Sequence, residues 1–303
     1  MFSQFLFILP LLVDGGVAFP FLNSVAPRQV TGTKYLFSFG DSYSRTLFSI
    51  TGTKPSADNP IGNPPFPGTT TDAGLNWIDH LVTTYNTSLT LSYNFAVGGS
   101  TVDDNVVHSI TSGSKSLVEQ TAIFTANLAP KPSYAPWTSA NTLFAVWFGI
   151  NDIDLSYTYS NESELFTEIF NTYWKQLDIM YYYGARNFAL MTVPPTNKSP
   201  KILALNSTSQ ATYTASIAAW NTLVKNTATE FQSERSGSTV TVIDTSIPFD
   251  TAINNPKAYG APNAVCYNTN GVSCLWWNNF HPGQAVQKLV AAAFAGAYSG
   301  TFF

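Results

Sequence analysis

Five short, almost continuously apolar runs restrict this chain more than any other feature: KYLFSFG (34–40), LSYNFAV (91–97), NTLFAVWFG (141–149), RNFALMTV (186–193) and STVTVID (238–244). Short apolar runs of this kind fit strands buried on both faces, and such strands belong to parallel sheets covered by helices. Helix-like stretches lie between and after them, over 73–85, 116–128, 164–184, 214–234 and 283–300, with Gly184 and Gly300 placed where a helix often ends in a left-handed residue. Strand and helix alternating in this way predict an α/β chain: a doubly wound, flavodoxin-like, five-stranded parallel sheet with helices on both faces. The Pro-, Gly- and Asn-rich stretch TGTKPSADNPIGNPPFPGTT (51–70) is incompatible with regular structure and predicts a long loop that helps shape a substrate site. No repeat or linker divides the remainder, so 31–303 is expected to be a single domain.

The amino terminus, MFSQFLFILPLLVDGGVAFPF, has about a dozen apolar residues followed by small ones at Gly16 and Ala18, which reads as a signal peptide over 1–18 and a short linker over 19–30. The run is shorter than the roughly 20 residues a membrane span requires. Secretion agrees with sequons at Asn86, Asn161 and Asn206 as glycosylation sites, and with two cysteines, Cys266 and Cys274, bracketing a turn-rich CYNTNGVSC suited to a disulfide. Charged residues make up 11% of the chain and its net charge is -4, so a basic footprint for nucleic acid is missing. Three histidines, His80, His108 and His281, and two cysteines without metal-ligand spacing offer no metal site.

In an open parallel sheet, ligands bind outside the carboxyl ends of the strands. Asp41 and Ser42 follow the first run, Gly98-Gly99-Ser100 the second, Gly149-Ile150-Asn151-Asp152 the third, and His281, in WWNNFHPG, follows the fifth after a long loop. Taken singly, each has a plainer reading: a serine after a strand caps a helix, GGS is a turn, and a histidine before proline packs. Jointly they form a catalytic set. Ser42 is a nucleophile if His281 takes its proton, and the Ser42 and Gly99 N–H groups with the Asn151 amide can receive a developing oxyanion. Asp41 is expected to order the turn and Tyr43 to pack; His80 and His108 fall on a helix and in a loop, as structural or surface residues.

With FGDSYS, NFAVGGS, GIND and HPG in this order, the chain resembles the SGNH (GDSL) hydrolases over essentially its whole mature length. GDSYS, WWNNFHP and the aromatic content are more narrowly similar to the fungal acetyl esterases of carbohydrate esterase family 16. The resemblance implies Ser42 as nucleophile, Gly99 and Asn151 as oxyanion donors, His281 as base, no cofactor, and a monomer acting on a small acetylated oligosaccharide through an acetyl-serine intermediate. One departure stands out: where most members carry an aspartate three residues before the histidine, this chain has Asn278. An amide oxygen can still orient an imidazole but cannot offset its positive charge. Asn278, or a carboxylate from Asp152, Asp154, Asp244 or Asp250, is expected beside His281, and Trp276 or Trp277 is expected to offer a ring for a sugar to stack on.

Overall fold

Strand β1 (Lys34–Gly40), with all seven residues buried, occupies the interior of the computed structural model. The structure describes Met1 and residues 32–303; apart from Met1, the expected signal peptide and the linker lie outside the described residues. β1 pairs with β2 (Thr90–Asn94) on one side and with β3 (Thr142–Trp147) on the other, and β4 (Asn187–Met191) and β5 (Thr239–Ile243) continue beyond β3. All four pairings are parallel, in the order β2-β1-β3-β4-β5. The five apolar runs are thus the five strands, with one difference in burial. β5, an edge strand, exposes Thr239, half-buries the next three residues and buries only Ile243, whereas β2, at the other edge, is buried throughout.

The helices are α1 (Trp77–Thr83), α2 (Leu117–Asn127), α3 (Ile150–Ser156), α4 (Glu162–Tyr182), α5 (Pro200–Leu203), α6 (Ser207–Glu234), α7 (Ser246–Asn254) and α8 (Gln284–Ala297). The helix expected from 73 starts at Trp77, because Asn76 caps it: its Oδ1 accepts the Ile78 and Asp79 N–H groups at 2.9 and 3.2 Å while Asp79 returns the bond to Asn76 N. The helix expected from 214 starts two turns earlier, capped by Asn206 on Ser209 N at 2.9 Å. Its first turns, STSQ, are polar and lack the apolar period that would reveal them. α3, α5 and α7 are too short to show a period.

α8 packs against α1 and α7, whereas α4 packs against α2 and α6. These two groups form the layers on either side of the sheet, since right-handed crossovers place the β1-to-β2 helix opposite those that run the other way. The reversal of direction falls between β1 and β3, and the crevice at their carboxyl ends is where an open sheet of this type receives a ligand. Below it, Phe37 meets the rings of Tyr93, Phe124, Trp137 and Phe144 edge-on or tilted, with centroids 5.2–5.9 Å apart. On the opposite face Trp77 packs on Trp147 and Phe294. Among the described residues no helix is long and apolar enough to cross a membrane.

Because Phe37 is fully buried at the junction of four rings, Phe37→Ala is expected to cost about 3–5 kcal/mol. Urea unfolding of the two proteins checks this through the shift in midpoint.

Candidate active site

The end of β1 is built from hydrogen bonds that leave Ser42 half-exposed. The Asp41 carbonyl accepts the N–H groups of Ser44 and Arg45 at 3.1 and 3.0 Å, and its carboxylate accepts Tyr43 N–H at 2.9 Å. The chain therefore coils into one tight turn around the acid, and Asp41 orders it as its position suggests. Gln120, buried on α2, clamps both polar groups of Gly40, taking its N–H at 2.9 Å and giving to its carbonyl at 2.8 Å. Thr71 Oγ1 donates to the Ser42 carbonyl. Tyr43 does more than pack, because its hydroxyl donates to the Phe280 carbonyl and so ties the serine turn to the histidine loop.

That loop is organised by one atom. Asn278 Oδ1 accepts the backbone N–H groups of Phe280 at 2.9 Å and His281 at 2.7 Å, and lies 3.0 Å from His281 Nδ1. Two backbone donors pointing at the same atom identify it as the amide oxygen. An amide oxygen only accepts, so Nδ1 carries the proton and Nε2 presents its lone pair. His281 Nε2 is 2.8 Å from Ser42 Oγ. The remaining candidates for the place beside His281 are engaged elsewhere: Asp152 accepts Val102 N–H, Asp154 pairs with Lys201, Asp244 accepts from Ser246, and Asp250 pairs with Lys198.

Two glycines let the other loops come close. Gly99 has φ +77°, and a Cβ there would stand 2.3 Å from Thr111 Oγ1. Gly149, at φ +117°, opens α3, and a Cβ would run into the Trp220 ring at 2.3 Å. Side chains are excluded at both positions by backbone conformation and by space. Asn151, in the first turn of α3, directs its Nδ2 to the Ser100 carbonyl at 2.9 Å and Asp41 Oδ2 at 3.2 Å. Ser42, Gly99, Asn151, Asn278 and His281 line one pocket of about 400 Å³.

Burial lowers the pKa of His281 to about 4, and the nearby charges of Arg45 and Lys201 push the same way. The imidazole is consequently neutral at mildly acidic pH. Burial acts in the opposite sense on Asp41 and Asp152, raising each to about 7.

Several expectations need correction. The 51–70 loop does not line the pocket; only Thr71, just past its end, does. Trp276 is buried against Phe249, with its N–H on the Ala264 carbonyl at 2.9 Å, and so has no free face for a sugar. Trp277 is half-buried, edge-on to His281 at 6.1 Å, with its N–H on the Thr269 carbonyl. His80 is buried on α1 and His108 is an exposed partner of Asp104, both apart from Ser42. Cys266 and Cys274 are joined. Asn161 and Asn206 are exposed and Asn86 is half-buried. Sequence reasoning passed over Arg45, Thr71 and Lys201 in the pocket wall and Gln120 behind it. Arg45 alone carried a signal, lying three residues past Ser42 in the same turn.

A family model described as GDSL-like Lipase/Acylhydrolase matches residues 36–294. The chain belongs to this family. An acetylesterase from Thermothelomyces thermophilus is 45% identical over 97% of each chain, and one from Hypocrea jecorina is 25% identical over 91% of this chain and 92% of its own. The fold is that of a catalytic mutant of an acetylxylan esterase from Geobacillus stearothermophilus, with TM-score 0.51 and 15% identity over 89% of this chain and 95% of that one. This GDSL family member is a carboxylic ester hydrolase.

The local chemistry of His281 is open to direct measurement. Its ring is expected to titrate near pH 4 rather than at its ordinary value of 6.5, as read by NMR of the labelled imidazole. In Asn278→Asp the carboxylate can accept the same three N–H groups and adds a negative charge beside the ring. The midpoint is then expected to rise, with the fold intact and turnover matched or raised. A large fall in kcat would mean that the site depends on the amide.

Proposed function

We propose that this protein is a secreted serine acetylesterase that deacetylates acetylated hemicellulose oligosaccharides, of the xylo- or manno- type. The observation that carries the reading is the hydrogen-bonded series Asn278 Oδ1, His281, Ser42 Oγ, with links of 3.0 and 2.8 Å, opening into a pocket of about 400 Å³. Ser42 Oγ attacks the acetyl carbonyl carbon while His281 Nε2 takes its proton. The Ser42 and Gly99 N–H groups stabilise the tetrahedral oxyanion, and the Asn151 amide joins them by exchanging its 3.2 Å bond to Asp41 for one to the oxyanion. The sugar hydroxyl leaves with the proton returned by His281, giving acetyl-Ser42, and water activated by His281 then releases acetate.

Support for acetyl as the acyl group comes from the relative 45% identical over nearly full length, itself an acetylesterase. The sugar part rests on the weakly charged composition and on the modest pocket, whose lining mixes Thr, Ser and Asn with Arg45, the Lys201–Asp154 pair and a few apolar groups. Secretion to an oxidising compartment is supported by the amino-terminal sequence and by the Cys266–Cys274 disulfide.

Ser42→Ala is expected to lose about 10⁴-fold or more in kcat on acetylated xylo-oligosaccharides, followed by acetate release. Equal release by both proteins would place the reaction elsewhere. Across nitrophenyl esters of rising chain length, kcat/KM is expected to peak at acetyl; a maximum at octanoyl would make the enzyme a lipase. Since His281 works as the neutral base and protonates near pH 4, kcat/KM is expected to hold down to about pH 5 and fall below it.

A further inference from the structure

We propose that Arg45 forms an anion subsite in the active-site pocket, favouring ester substrates with a carboxylate close to the acylated hydroxyl, such as acetylated oligosaccharides with a uronic acid branch. The inference rests on the esterase reading and narrows its substrate class.

Arg45 and Ser42 line the same pocket. An added Cβ at Gly98 would stand 3.5 Å from Arg45 Nη1 and 3.8 Å from Ser42 Cβ, so guanidinium and serine flank a single glycine. The space between them stays open because that residue has no side chain. Among the described residues Arg45 has no ion-pair partner, and its Nε is buried with no hydrogen bond.

The other charges of the pocket wall cancel. Lys201 Nζ meets Asp154 Oδ1 at 2.7 Å and Oδ2 at 2.5 Å, a pair closed on itself. Asp41 sits behind the serine turn, outside the pocket lining, with its carboxylate taken by Tyr43 N–H and the Asn151 amide. His281 is neutral at working pH. Arg45 therefore supplies the uncompensated charge next to the reacting serine. A guanidinium fork matches a carboxylate with two parallel N–H bonds, and charge-assisted bonds of this kind are the strong ones. A sugar with only hydroxyl groups would leave the charge unmatched.

The test uses two acetylated xylo-oligosaccharides that differ only in a glucuronic acid branch beside the acetylated residue. At low ionic strength the wild type is expected to favour the acidic one by about 10- to 100-fold in kcat/KM, mostly through KM, with the ratio shrinking as salt is added. Arg45→Gln should bring the ratio close to one, and Arg45→Lys, which keeps the charge without the fork, should keep part of it. A ratio unchanged in Arg45→Gln, a wild-type preference for the neutral sugar, or a ratio indifferent to salt would each overturn the proposal. Should Arg45→Gln fail to fold, Arg45→Lys and the wild-type salt series read the same quantity. Calorimetry on Ser42→Ala with the two deacetylated oligosaccharides isolates binding: tighter binding of the acidic one supports the subsite, and equal binding sinks it. Selective binding without acetate release by the wild type would instead retire the esterase reading and leave the subsite standing.

Discussion

A parallel sheet can be joined only by crossovers, and that constraint governs everything above it. Each strand must run in the same direction as its neighbour, so each must be followed by a loop at the same rim and a helix that returns the chain. Both faces are then covered and the strands become apolar throughout, as the complete burial of β1 and β3 illustrates. The rim is the place where the chain is free to be polar. Because β1 and β3 are adjacent while their crossovers leave in opposite directions, their two loops part and open a crevice. Ser42 and Asn151 stand on its two sides, 109 positions apart in sequence and near neighbours in space.

The crevice is held by a few polar atoms that each do several things. Gln120 fixes the end of β1, Tyr43 reaches from the serine turn to the histidine loop, and Asn278 Oδ1 gathers three N–H groups. Replacing the usual carboxylate by an amide keeps the orientation and the tautomer of the ring but removes a negative charge. Burial of the imidazole, with the charges of Arg45 and Lys201 adding to it and no carboxylate beside the ring to oppose it, accounts for the low pKa of His281. On the proposed reading, this combination trades stabilisation of the imidazolium for a base that stays neutral in acid.

The amino-acid order alone determined the strands, the parallel topology, and which loops bear Ser42, Gly99, Asn151 and His281, because a fully buried strand leaves an unmistakable apolar run and its end a polar break. The resemblance to the SGNH hydrolases also pointed to Asn278, and the turn-rich loop between the only two cysteines pointed to their pairing. Only the tertiary structure decided that Asn278 rather than one of four carboxylates faces the imidazole, that Trp276 is core, that the 51–70 loop stays out of the pocket, and that Arg45 faces it without a partner. The physical reason is one of range. Burial and periodicity are local properties, written every two to four residues, whereas a hydrogen bond between side chains far apart in sequence, or a charge left without one, exists only once the sheet has brought them together.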